Sequence, residues 1–93
     1  MLRIRARHIQ LADLETAQQV MQFWQDGQPF EQLATTYSQC PTAIQGGDLG
    51  EFGPGHMPPE LDAVFLGGDV GSVYGPVASA RGFHLIEILG RTE

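Results

Sequence analysis

Cys40 is the only cysteine of the 93-residue chain, and its histidines are His8, His56 and His84. Cys40 opens the run Cys40-Pro41-Thr42-Ala43-Ile44-Gln45-Gly46-Gly47-Asp48-Leu49-Gly50-Glu51-Phe52, in which a double glycine and an acid precede what reads as a strand. These residue types admit three chemistries. A metal site would draw on the thiol and the imidazoles, but no C-x-x-C or H-x-x-x-H spacing occurs, so no metal is expected. A phosphate-cradling loop needs a lysine or the G-x-G-x-x-G order; Gln45-Gly46-Gly47-Asp48-Leu49-Gly50 has neither, and Asp48 would repel an anion. Cysteine–histidine hydrolysis needs an acidified thiolate, a base and an oxyanion hole. Cys40 with His8 or His84 could supply the first two, but the scaffold is small for a cleft and no peptidase motif surrounds the thiol. By composition and spacing alone, a buried inert thiol and hydrogen-bonded core histidines remain the leading reading.

Only folding could bring His8 and His84, near opposite ends of the chain, toward Cys40. Residues 2–9 alternate, with Leu2, Ile4, Ala6 and His8 on one face and Arg3, Arg5 and Arg7 on the other, which predicts a half-buried strand. The arginine row reads as a solvated face that discourages edge pairing, with a small patch for acidic partners as the sharper alternative. Asp13 is a plausible N-cap for a helix presenting Leu14, Ala17, Met21 and Trp24, and Gly27 stops it. Pro29 suits the first turn of a second helix with Phe30, Leu33, Ala34 and Tyr37 on one face. A short strand over 49–52, a turn over 53–56, a helix over about 60–66 and a closing strand over 83–89 follow. His84 falls in line with Ile86 and Ile88. Strands that open and close the chain, with helices between, predict one sheet whose terminal strands are neighbours, placing His8 beside His84.

Composition bounds the rest. The chain is 42% hydrophobic and 17% charged, which is globular, and reads as one domain over 1–93. A net charge of −6 argues against nucleic acid as the main partner. No apolar run approaches the ~20 residues of a membrane span, and the N-terminus reads as neither signal nor anchor. A lone thiol suits a reducing compartment, so a cytoplasmic location is expected.

Several motif pieces then share one order: His8-Ile9; Phe30-Glu31-Gln32-Leu33-Ala34; Tyr37-Ser38-Gln39-Cys40-Pro41; Gly46-Gly47-Asp48-Leu49-Gly50-Glu51-Phe52; Gly55-His56-Met57; Gly75-Pro76-Val77; and Gly82-Phe83-His84-Leu85-Ile86. In this the chain resembles the parvulin family of peptidyl-prolyl cis-trans isomerases over essentially its whole length. The resemblance implies an α+β, FKBP-like superfold: a four-stranded antiparallel sheet wrapped by about four helices. It implies rotation of X-Pro bonds in proline-containing peptide or protein clients, a reaction that needs no cofactor; a monomer is expected, and the charge, apolar runs and ligand spacing already described predict no nucleic acid, membrane or metal. A non-catalytic peptide-binding or chaperone module of the same fold is the alternative. In the family, His8 and His84 match a core pair beneath the site, Ser79 a polar position beside them, and Cys40 a residue facing the substrate amide. Leu49, Met57 and Leu61 match the walls of the proline pocket. The expected roles make His8 and His84 a hydrogen-bonded pair that positions Cys40, with Arg81 and Phe83 added to the substrate-binding set. Three departures stand out. Leu61 replaces a common phenylalanine, and Phe65, one turn on, is expected to fill part of that gap. Arg81 replaces another phenylalanine and is expected to fold toward solvent. Residues 67–74 fit the family loop poorly, and Tyr74 has no counterpart there. The connection after the first strand, near 10–12, lacks the long basic loop of phosphate-directed members, so phospho-selectivity is not expected.

Overall fold

A computed structural model describes residues 2–92. In chain order the elements are β1 (Arg3–Leu11), α1 (Leu14–Gln25), α2 (Phe30–Tyr37), a 3-10 helix (Pro41–Gln45), β2 (Asp48–Phe52), α3 (Pro59–Gly67), β3 (Val73–Ser79) and β4 (Gly82–Thr92). Three α-helices and one short 3-10 helix thus stand where about four helices were expected. The strands form one antiparallel sheet in the order β2-β1-β4-β3, so the first and last strands pair at its centre. Chain order could not place the arginine row: β1 lies between β2 and β4, and Arg3, Arg5 and Arg7 therefore guard no edge.

Two apolar clusters cover the two faces of the sheet. On one, α1 and α2 bring Ala17, Val20, Phe30, Leu33 and Ala34 against Ile9, Leu11 and Leu85. On the other, Leu61 and Phe65 of α3 pack with Ile4, Ala6, Phe52, Ile86 and Ile88. Burial on both faces explains the near-continuous apolar run of β4, where His84, Leu85, Ile86 and Ile88 are all buried.

Local chemistry fixes the helix ends. Asp13 caps α1 as expected, its Oδ1 accepting the Thr16 N–H at 2.7 Å. The expected face of α1 largely holds, with Ala17 buried and Met21 and Trp24 packed against the same cluster, but Val20 joins it and Leu14 is exposed. Tyr37 is likewise exposed at the end of α2 and stacks on Phe23 instead. Pro58 caps α3 and Pro59 begins it, where a missing N–H costs nothing. At its other end Arg91 donates to the carbonyls of Phe65 and Gly68, placing a cation on the negative end of the helix dipole. Tyr74 packs into the α3-side cluster and its hydroxyl accepts the Asp69 N–H at 2.8 Å, which closes the unusual loop after α3.

Candidate active site

The site is built on the α3 side of the sheet, where the two central strands place their histidines. His8 on β1 and His84 on β4 stack with ring centroids 5.5 Å apart and planes 13° from parallel. They are 6% and 1% exposed, the only buried polar side chains among the described residues. The sheet order predicted from the alternating terminal strands is what brings them together.

The expected hydrogen bond between them is not what the structure has. Both nitrogens of His8 and Nδ1 of His84 have no hydrogen-bond partner, whereas His84 Nε2 shares a 2.7 Å hydrogen bond with Ser79 Oγ. The rings meet face to face because their Cβ atoms project in parallel from neighbouring strands. Neither ring bonds Cys40 either, so the thiol is positioned by other groups. Burial pushes the His8 pKa from 6.5 down to about 4, with the His84 and then the Arg81 charges acting in the same direction. His84 is lowered too, first by burial and then by Arg81. Both imidazoles are therefore neutral at pH 7.

Cys40 is held by its backbone. Ser38 Oγ accepts the N–H of Gln10 at 3.0 Å and that of Cys40 at 3.4 Å, and the Gln39 N–H donates to the Gln10 carbonyl at 2.8 Å. At the other end of the loop, the His8 N–H donates to the Gly47 carbonyl at 2.9 Å. The segment from 38 to 47 is thus fastened at both ends to residues 8–10 of β1. Gly47 is required there: its φ is +82°, and a Cβ would lie 2.4 Å from the His8 carbonyl oxygen and 2.9 Å from Ala34 Cβ. Cys40 itself is half-buried at the start of the 3-10 helix. Ser38 was missed by sequence reasoning, although a serine just past a helix end is a standard turn former.

The residues expected to grip a proline ring divide by depth. Leu49 and Met57 are half-buried and pack on the α3-side cluster, as does Val77, a rim residue that was not foreseen and that pairs with His84 across the strands. Leu61 and Phe65 are 3% and 0% exposed, so they form the floor beneath the rim, with Phe65 edge-on to Phe52 at 4.9 Å. Phe65 is therefore a core residue and not a pocket wall. Phe83 lies on the opposite face, packed against the α1/α2 cluster, because strand alternation turns it away from its neighbour His84. Arg81 is exposed in the turn between β3 and β4, yet its charge acts on both histidines. His56, the third histidine, accepts the Gly53 N–H at 3.0 Å and closes the turn before Met57. No group of three or more metal-ligating side chains occurs among the described residues. A groove of about 590 Å³ runs along the solvent side of α2, lined by residues such as Gln28, Glu31, Thr35 and Gln45, and no expected site residue lines it.

Residues 7–90 match the rotamase family described as the PPIC-type PPIase domain. The chain belongs to that family. It carries a peptidyl-prolyl isomerase domain of the parvulin fold. The foldase protein PrsA of Geobacillus sp. (strain WCH70) is 40% identical over 92 residues, which are 98% of this chain and 33% of PrsA. The crystal structure of the peptidylprolyl isomerase PrsA from Bacillus anthracis superposes with a TM-score of 0.95 at 33% identity, covering 99% of this chain and 43% of that one. NmPin, the parvulin of Nitrosopumilus maritimus, superposes with a TM-score of 0.85 at 28% identity, covering 97% of this chain and 98% of its own. The chain thus spans about a third of the length of the PrsA relatives it matches.

Proposed function

We propose that this PPIC-type domain accelerates cis-trans rotation of X-Pro bonds in folding polypeptides, gripping the proline ring between Leu49, Met57 and Val77 over the floor of Leu61 and Phe65. The observation that carries this reading is the half-buried apolar rim laid over a buried cluster beside a neutral histidine stack. An X-Pro bond resists rotation by ~18–20 kcal/mol through amide resonance. Twisting it removes conjugation and withdraws charge from the carbonyl oxygen, so the transition state is less polar than either planar isomer. An apolar grip on the ring favours that state, and a neutral stack favours it over a charged one. A ~10⁴-fold acceleration needs only about 5.4 kcal/mol of such preference, and no bond is made or broken.

Cys40, fixed by Ser38 and Gln10, shapes the electrostatics at the client carbonyl without attacking it. His8, His84 and Ser79 set the polarity of the floor beneath the bound proline. Clients are proline-containing polypeptides, in keeping with the foldase and chaperone names of the relatives. We further propose that the domain works as a monomer in the cytoplasm, a reducing compartment in which the lone Cys40 thiol persists.

Exchange spectroscopy on a panel of X-Pro peptides tests the proposal. Wild-type protein should raise the cis-trans exchange rate. Met57→Ala should lower kcat/KM about tenfold, the equivalent of roughly two lost methylene contacts. Cys40→Ser should lose much less. Peptide-dependent shifts with no gain in exchange would instead make the domain a binding module, and a covalent adduct on Cys40 would overturn its assigned role.

A further inference from the structure

The chain has no lysine, so its five arginines are all of its side-chain cations apart from histidine. Four of them are removed from the site. Arg3, Arg5 and Arg7 project from the face of β1 opposite His8, and Arg7 is paired with Glu31 at 3.3 Å and Glu87 at 3.0 Å. Arg91 is spent on the carbonyls at the end of α3. Arg81 alone stands beside the histidine stack, and it has no ion-pair partner among the described residues.

Its backbone is fixed while its side chain is free. The Arg81 N–H donates to Ser79 Oγ at 3.1 Å, the same oxygen that bonds His84 Nε2. The Arg81 carbonyl accepts from Gln10 Nε2 at 3.3 Å, and Gln10 is the residue that anchors Ser38 and so Cys40. The turn is also pressed onto the end of β1, since a Cβ on Gly82 would lie 2.4 Å from the Leu11 carbonyl oxygen. The Arg81 side chain therefore springs from a fixed backbone one hydrogen bond beyond the stack, on the exposed turn beside it. If the client's proline sits on the Leu49–Met57–Val77 rim as proposed above, the side chain of the residue before proline, which hangs directly from the X-Pro amide, is the client group that the guanidinium would reach. On a protein of net charge −6, a lone cation at this point is the feature that would draw an acidic group there.

We propose that Arg81 is a specificity-determining residue that selects clients with an acidic side chain immediately before proline, Glu-Pro and Asp-Pro bonds above all. This rests on the isomerase reading and names its substrate class. Exposed ion pairs shift equilibria by roughly two- to fivefold, which sets the expected preference. It should fade at 0.5 M salt, where screening acts over only a few ångströms.

The experiment compares three peptides identical except for Glu, Gln or Lys before proline, on wild-type protein, Arg81→Gln and Arg81→Glu, reading kcat/KM by exchange spectroscopy. Ratios between peptides are taken within each protein, so a general loss of activity cancels. Wild type should favour Glu over Gln by about two- to fivefold and disfavour Lys. Arg81→Gln should bring both ratios to about one, and Arg81→Glu should invert them. The same Glu-to-Gln ratio in wild type and Arg81→Glu overturns the proposal. Should wild type accelerate none of the peptides, the isomerase reading falls by itself. Amide-shift titration with the same peptides then decides on Arg81: Glu-peptide binding weakened in Arg81→Glu supports it, and equal affinities reject it.

Discussion

Acidification from pH 7 to pH 4 is expected to weaken this domain chiefly through His8. The ring is 6% exposed, faces a second imidazole at 5.5 Å and has no hydrogen-bond partner for either nitrogen, so the fold resists its protonation. In the unfolded chain it takes a proton near 6.5; in the folded one it does so only at about 4. Above pH 6.5 both states are neutral there and His8 adds no pH dependence. Between the two values the unfolded chain binds more protons, so stability falls as pH falls. Going from 6.5 to about 4, at about 1.4 kcal/mol for each tenfold step, gives a loss of about 3 kcal/mol by pH 4. His84, also lowered, adds in the same direction. Against a total of roughly 5–15 kcal/mol for a domain, that is a large share. Urea unfolding followed by circular dichroism at half-unit steps from pH 7 to 4 reads the loss, with His8→Gln as the comparison. The variant should have a much shallower decline over this window, whatever its stability at pH 7. An equal decline in both proteins, or a His8 ring that titrates near 6.5 in the folded state by NMR, would refute the reasoning.

Gly47→Ala and Gly50→Ala form a matched pair, since both positions have left-handed φ values of +82° and +70° but only Gly47 is crowded. Gly50→Ala should cost about 1 kcal/mol of backbone strain, whereas Gly47→Ala should cost roughly 2–5 kcal/mol because the β1 backbone must move as well; equal urea midpoints would sink this account of the double glycine. Arg91→Met keeps the aliphatic stem but leaves the Phe65 and Gly68 carbonyls unbound, at about 2 kcal/mol, read as a drop of about 8–16 °C in Tm. Tyr74→Phe should cost about 0.5–1 kcal/mol and speed hydrogen exchange at the Asp69 amide while sparing β1.

Much of this was written in local pattern. The alternation of residues 2–9 and 83–89 specified two strands, and their positions at the chain ends made them neighbours. That in turn put His8 beside His84. Period and alternation carry such information because they record which side of an element meets water. Asp13 marked the start of α1 for the same local reason: the orphan N–H groups of a first turn need an acceptor.

What the sequence could not determine was every relation between side chains that share a face without sharing a segment. It specified that the two histidines would meet, but not that they would stack without a mutual hydrogen bond; ring orientation depends on strand spacing and on Ser79, which arrives from β3. It offered Phe65, Phe83 and Leu61 alike as substrate contacts, whereas the packing of α3 buried the first and third beneath the rim and the pleat of β4 sent the second to the other core. The arginines of β1 looked like an edge until β2 and β4 closed around them. Chain order alone also could not show that Arg81 would lie in the turn beside the stack, without an ion-pair partner among the described residues. Residue types and their spacing set the chemistry available to this protein, because they act within a turn or a strand. Tertiary structure decided which of those groups stay neutral, buried or free, because desolvation and charge act across elements that are distant in sequence.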